Sequence, residues 1–161
     1  MIFLNERLVG GWSGAVVNVM ESTSVVFLPG GWGWSLLDSV SGTTSVSRFR
    51  WSCPAEGLLR LRNVWYVDGA TGRDGRFAAD ARVTAADDVF ETRYALTRRR
   101  HPWAREDEGD EAALVVDPAL DYENVFYRVP GSFTAADDPS AALVPHPPAP
   151  RPGPPPGAWR G

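Results

Sequence analysis

The sequence predicts an all-β fold, an antiparallel up-and-down β-barrel of about eight or nine strands. Short apolar or alternating runs follow one another, with Gly, Pro, Asp or Ser at nearly every junction between them. Several runs alternate between apolar and polar side chains, which is typical of an antiparallel sheet with one face in water. Because consecutive strands joined by short turns lie side by side, about eight of them can close into a barrel without exposed edges.

In chain order, we expect strands at residues 12–20, 23–28, 32–39, 45–53, 58–67, 76–84, 89–98, 112–117 and 124–129. The segment TAADD at 84–88 is expected to be a turn, because Thr and Asp side chains bond the local backbone readily. The one helix that we expect is a turn or two within DPALDYEN at 117–124, just before the last strand.

The alternation indicates which side chains face the barrel interior. In the fourth strand Phe49 and Trp51 lie on one face with Ser47, and Arg48 and Arg50 lie on the other. The fifth and seventh strands alternate in the same way, and we expect the tryptophans of GGWGW to face inward as well. The predicted lining therefore combines large rings with a few polar groups: Trp32, Trp34, Phe49, Trp51, Asn63, Trp65, Thr92, Tyr94 and Tyr127.

Such an interior is either completely filled or holds a ligand cavity. Polar groups among rings suit a mostly apolar ligand with a few polar handles, whereas in a dry core they must pair with one another. We therefore expect non-catalytic binding of a small, largely apolar molecule. The expected ligand contacts are Trp34, Phe49, Trp51, Asn63, Trp65, Thr92, Tyr94 and Tyr127. A filled barrel would indicate an interaction or accessory protein instead.

Gly10 and Trp12 form a G-x-W motif at the start of the first strand. Followed by VVFLPGGWGW, FRW and LRLR, this motif resembles the lipocalins and related calycin-type barrels, and small bacterial lipocalin-like domains in particular. The resemblance covers roughly residues 5–130. It implies that Trp12 closes the base of the barrel and that Arg128, in the last strand, packs across it. We expect no secretion signal, and one cysteine permits no internal disulfide pair, so the extracellular carrier role of lipocalins need not transfer.

The composition indicates where the protein is located and which classes of partner it excludes. The net charge of −4 argues against nucleic acid, whose phosphates require a basic surface. All sixteen basic residues are arginine, which is typical of a GC-rich bacterial genome. No apolar run approaches the roughly 18 residues that span a bilayer, and one cysteine permits no internal disulfide. We therefore expect a cytoplasmic protein that binds neither nucleic acid nor membrane.

The sequence contains few features that indicate a catalytic or cofactor-binding site. The sequence contains no G-x-S-x-G, no H-E-x-x-H and no glycine-rich phosphate loop. Its two histidines, His101 and His146, predict neither a haem nor a metal site, and Cys53 is expected to be a structural thiol. We expect no cofactor. Whether the protein is an enzyme stays open, because a cyclase or isomerase that works by shape leaves little trace in sequence.

The domain boundary is expected near residue 134. Residues 1–134 form the predicted barrel, and residues 135–161, rich in Pro and Ala, are expected to be a mobile tail. A protein partner could dock on the P-x-x-P spacings of this tail or on the charged loop at 98–111. The sequence also leaves open whether the protein forms a homodimer.

Overall fold

A computed structural model describes residues 3–15 and 20–148 of the chain. Within these residues, eight antiparallel strands form one closed barrel in sequential order, with the last strand paired to the first. This confirms the predicted fold class. The strands are β1 (Gly10–Gly14), β2 (Glu21–Phe27), β3 (Trp32–Ser39), β4 (Thr44–Ala55), β5 (Leu58–Gly69), β6 (Arg82–Arg99), β7 (Glu111–Leu120) and β8 (Glu123–Val129).

The predicted turn at 84–88 is wrong, because this segment lies inside the long strand β6. It pairs with β5 around a bulge, where Asn63 lies opposite Asp88 and Trp65 lies opposite Ala85. The two aspartates that suggested a turn bond across the strands instead: Asp87 accepts from Arg62, and Asp88 accepts from Asn63. Residues 76–81, predicted as part of a strand, belong to the β5–β6 connection.

The predicted helical turn at 117–124 is also wrong. This segment is the hairpin between β7 and β8, and Leu120 pairs with Glu123 across it. Asp121 and Tyr122 have φ values of 45° and 68°. Positive φ at both central residues defines the two-residue turn whose twist suits a β-hairpin.

The main core fills the end of the barrel where β1 begins and β8 ends. Leu8, in the 3-10 helix Glu6–Leu8, packs there against the inward ring of Trp12. Inward residues of the other strands complete this core: Val25, Phe27, Phe49, Trp51, Leu59, Leu61, Leu114, Val116 and Phe126. Each such buried side chain contributes about 1.5–3 kcal/mol to stability. We call this the closed end.

A second core lies outside the barrel. The segment 130–148, which we call the C-terminal strap, contains a 3-10 helix at Ala135–Asp137 that is capped by Thr134. It covers the outer face of the sheet, where Trp34 is buried beside Val46 and Val67. Residues 135–148, assigned to a mobile tail from the sequence, are thus part of the folded structure; residues 149–161 lie outside the described range.

The predicted inward orientation of Trp32, Trp34 and Trp65 is wrong. In β3 the glycine faces inward, since a Cβ on Gly33 would lie 2.5 Å from the Phe49 ring. The tryptophans on either side of it therefore face outward, toward the strap. In β5 the bulge after Asn63 interrupts the alternation. Trp65 therefore lies directly opposite Arg48, which faces outward, and faces outward itself.

Across residues 3–15 and 20–148, no helix has the length and apolar character that a membrane span requires. The same ranges contain no group of three or more His, Cys, Asp or Glu side chains arranged to hold a metal ion.

Candidate functional site

A cavity of about 380 Å³ lies inside the barrel, toward the β7–β8 turn and away from the closed end. We call it the barrel cavity. Its apolar wall is formed by Phe49, Leu61, Phe90 and Leu120. Its polar groups are Ser35, Ser47, Asn63, Tyr66, Asp88 and Asp121.

The strand register brings these side chains together. Ser35 on β3 lies opposite Ser47 on β4. Ser47 in turn lies opposite Tyr66 on β5. Two residues along β4, Phe49 lies opposite Asn63, which lies opposite Asp88. Directly paired residues of an antiparallel sheet project to the same side, so Ser35, Ser47 and Tyr66 form one polar row in the interior.

The bulge in β5 brings Asn63, Tyr66 and Asp88 together as a hydrogen-bonded group in the cavity. Residues three apart in a regular strand point to opposite faces, yet Asn63 and Tyr66 both reach Asp88. The Asn63 amide donates to Asp88 Oδ2 at 2.8 Å, and the Tyr66 hydroxyl donates to both carboxylate oxygens at 2.8 Å. Sequence reasoning missed Tyr66 because strict alternation assigns it to the outside.

Electrostatics keep the Tyr66 hydroxyl protonated. Burial, the hydrogen bond to Asp88 and the charges of Asp88 and Asp121 together raise the pKa of Tyr66 to about 12. At neutral pH the phenol is therefore a hydrogen-bond donor, and the negative charge of this group belongs to the carboxylate.

Two serines leave hydrogen-bonding capacity unused. Ser35 is only 1% exposed and lines the cavity, and its hydroxyl makes no hydrogen bond within the described part of the chain. Ser47, across the strand pair, also makes none there. Ser35 is buried and Ser47 is half-buried. Both residues line the cavity without a bonded partner, so their hydroxyls are suited to bond a bound molecule.

Of the predicted ligand contacts, Phe49 and Asn63 line the barrel cavity. Three others face inward but have partners of their own. Trp51 donates to the Leu28 carbonyl at 3.1 Å, and Thr92 donates to the Pro118 carbonyl at 2.7 Å. The Tyr94 hydroxyl accepts from the Asn5 amide at 2.8 Å. These contacts tie the N-terminal segment and the turns to the barrel, and none of the three lines the cavity.

The remaining predicted contacts lie outside the barrel, which corrects their assignment. Trp34 and Trp65 face outward, for the reasons given above. Tyr127 pairs beside Ser13 and Ala113 on the outer face, because its neighbour Phe126 takes the inward position. Its ring lies 4.5 Å from that of His101, and its hydroxyl donates to the Arg100 carbonyl.

The closed end holds the pair that the resemblance singled out. The Arg128 guanidinium lies 4.5 Å above the Trp12 ring and donates to the Val9 carbonyl at 2.7 Å. The Trp12 indole donates to the Leu8 carbonyl at 2.8 Å. This geometry joins the first and last strands to the N-terminal segment.

Comparison with known proteins adds no further assignment: no protein-family model matches the chain, and neither the curated proteins nor the solved structures include a significant match.

Proposed function

We propose that the protein binds a small, largely apolar molecule in the barrel cavity, without catalysing its conversion. The apolar wall of Phe49, Leu61 and Phe90 provides contact area, and the polar row beside it provides orientation. A volume of about 380 Å³ is within the roughly 300–1,000 Å³ typical of small-molecule sites.

The observation that carries this proposal is the unpaired Ser35 hydroxyl. Polar groups in a filled interior make hydrogen bonds to other protein groups. Elsewhere in this barrel, Thr92 bonds the Pro118 carbonyl and Tyr94 bonds the Asn5 amide. Ser35 is as deeply buried as Thr92, at 1% exposure, yet its hydroxyl faces the cavity and makes no hydrogen bond to the described chain. A ligand in the cavity would bond this hydroxyl directly.

We also propose kinship with the lipocalin-like barrels, of bacterial type, and a cytoplasmic location. The stacking of Arg128 on Trp12 supports the kinship, since it is the contact that the resemblance implies. The buried, unpaired Cys53 supports a reducing compartment.

Fluorescence titration with N-phenyl-1-naphthylamine, a neutral apolar dye, tests the binding proposal. We expect saturable enhancement by the full chain. Ser47→Phe adds a ring on the cavity face of β4 and should weaken binding at least tenfold, because the ring occupies the ligand volume. Ser52→Phe makes the same change further along β4, at a residue that does not line the cavity, and should leave affinity unchanged.

Both variants must keep the β-sheet circular dichroism of the parent. Absence of saturable binding by the parent chain would overturn the proposal. Equal affinity of the folded Ser47→Phe variant and the parent would also overturn it, because the dye would then bind elsewhere.

A further inference from the structure

We infer that the barrel cavity selects ligands that carry an ammonium group on an aromatic or apolar body. This inference rests on the proposed function and adds the chemical class of the ligand. It is carried by the charge of the cavity, by an exposed ring at its edge and by the unpaired serine hydroxyls.

The cavity carries negative charge with no cation to balance it. Asp88 accepts hydrogen bonds only from the neutral groups of Asn63 and Tyr66 and forms no ion pair within the described residues. Asp121 adds a second carboxylate, and no arginine or histidine lines the cavity.

Asp87, the residue before Asp88, provides the contrast. Its carboxylate lies 2.7 Å from Nε of Arg62, and that pair is exposed to solvent. The arginine lies opposite Val89 in the register, one position away from the inward Leu61 and Asn63. Strand alternation therefore places a cation beside Asp87 and none beside Asp88, which lines the cavity and is exposed to solvent. The carboxylate of Asp88 is thereby free to pair with a cationic ligand.

Tyr122 lies at the edge of the cavity and is 86% exposed. Its φ of 68° is in the left-handed region, where glycine or asparagine is the unstrained choice. The turn therefore presents a large aromatic ring beside Asp121, at some conformational cost. An aromatic face next to carboxylates is the environment that ammonium groups prefer.

The serines supply the independent indication of a ligand. An ammonium group has three N–H donors and no acceptor. The hydroxyls of Ser35 and Ser47 can accept from such a group or bond a second polar atom of the ligand, and neither has another partner in the described chain. An anionic ligand would meet two carboxylates, and like charges close together repel.

Isothermal titration calorimetry of the full chain at pH 7 and low salt tests the inference with three indoles of similar size. Tryptamine is a cation, tryptophol is neutral and indole-3-propionate is an anion. We expect the Kd for tryptamine to be at least tenfold lower than that for tryptophol, which is about 1.4 kcal/mol. Indole-3-propionate should bind most weakly, and added salt should reduce the preference for tryptamine.

Asp88→Asn should remove most of this preference, because asparagine keeps acceptor capacity for Tyr66 but loses the charge. Asp87→Asn is the matched control and should keep the preference. If Asp88→Asn does not fold, Asp121→Asn in the exposed turn provides the second test and should reduce the preference.

The outcomes separate the two proposals. Equal affinity for tryptamine and tryptophol overturns the inference and leaves the proposed function standing, as does dye binding without tryptamine binding. If neither the dye nor any indole binds, both proposals fall. An unchanged preference in Asp88→Asn and Asp121→Asn also overturns the inference.

Discussion

The barrel cavity and the underside of the C-terminal strap are both aromatic environments that contain buried polar groups, on opposite faces of the same sheet. Under the strap, the charged groups of Arg48 and Asp138 pair with one another, although Nε and Nη2 of Arg48 make no hydrogen bond in the described chain. In the cavity, the hydroxyls of Ser35 and Ser47 make no hydrogen bond within the described residues. The outer face of the sheet is thus covered by a segment of the chain itself, whereas no described segment enters the cavity.

The strap is anchored by a buried ionic group. Arg48, 2% exposed, places its Nε 2.9 Å from Oδ2 of the fully buried Asp138. His146 Nε2 lies 2.6 Å from the same oxygen, and Ser140 donates its backbone N–H and its hydroxyl to the other oxygen. The Arg48 guanidinium also donates to the Val144 carbonyl. Strap and sheet are thereby joined by a buried ion pair and by one charge-assisted hydrogen bond, whereas Nε and Nη2 of Arg48 make no hydrogen bond in the described chain.

Burial opposes the charges of this group, and its hydrogen bonds favour them. Burial lowers the pKa of Arg48, and the charge of Asp138 acts in the opposite direction. Burial alone would raise the pKa of Asp138. The hydrogen bonds from His146 and Ser140 and the charge of Arg48 outweigh it and hold that pKa below its ordinary value.

The largest expected effect comes from Asp138→Asn, which leaves the Arg48 charge buried and unpaired. Breaking a buried pair in this way costs about 3–5 kcal/mol, so we expect a loss of that size in the free energy of unfolding, measured by urea denaturation. Asp87→Asn, which breaks an exposed pair, is the control and should leave the free energy of unfolding nearly unchanged. Equal effects would contradict the distinction between the anchored strap and the ordinary surface.

Gly33→Ala tests which face of β3 is the interior. The added Cβ would lie 2.4 Å from the Val26 carbonyl oxygen and 2.5 Å from the Phe49 ring. Overpacking of this kind costs about 1–3 kcal/mol, and displacement of Phe49 should also weaken dye binding in the cavity. Gly30→Ala is the control, since its Cβ would meet nothing within 4 Å. Unchanged stability and dye affinity in Gly33→Ala would mean that the tryptophans, and not the glycine, face inward.

The smallest expected effect is that of acid on the strap. Because the pKa of Asp138 is depressed in the folded chain, its stabilisation is present above the unfolded pKa, about 3.9, and is lost as pH falls through the lower folded pKa. Urea denaturation at pH 7, 4 and 3 should show declining stability of the parent. The decline should be shallower in Asp138→Asn, which has no carboxyl to protonate. Identical pH profiles would mean that other groups are responsible.

Much of the barrel could be predicted from local pattern. The strand at Trp32–Ser39 has the predicted bounds, and the sequential antiparallel order follows from short turns between alternating runs. Phe49 and Asn63 lie on the interior face as predicted, because Phe49 alternates with Arg48 and Arg50 and the bulge in β5 begins only after Asn63.

The errors have two causes that no local pattern reveals. Alternation assigns faces only while a strand is regular, and the bulge after Asn63 moves Trp65 outward and Tyr66 inward. Alternation also assumes that one face meets water. The strap buries the other face too, so Trp34 and even Arg48 are hidden there, although the composition of residues 135–148 resembles that of a solvated tail.

Local pattern is enough to specify an antiparallel barrel from this chain, because turn chemistry and side-chain period are properties of short stretches of backbone. The assembled fold is needed to fix which face of β3 is the inside, how Asp88 comes to lie against Asn63 and Tyr66, and which buried polar groups have partners. Those outcomes depend on contacts between residues distant in sequence, such as Gly33 with Phe49 and Arg48 with Asp138. Burial and pairing belong to the assembled barrel and to no single segment of it.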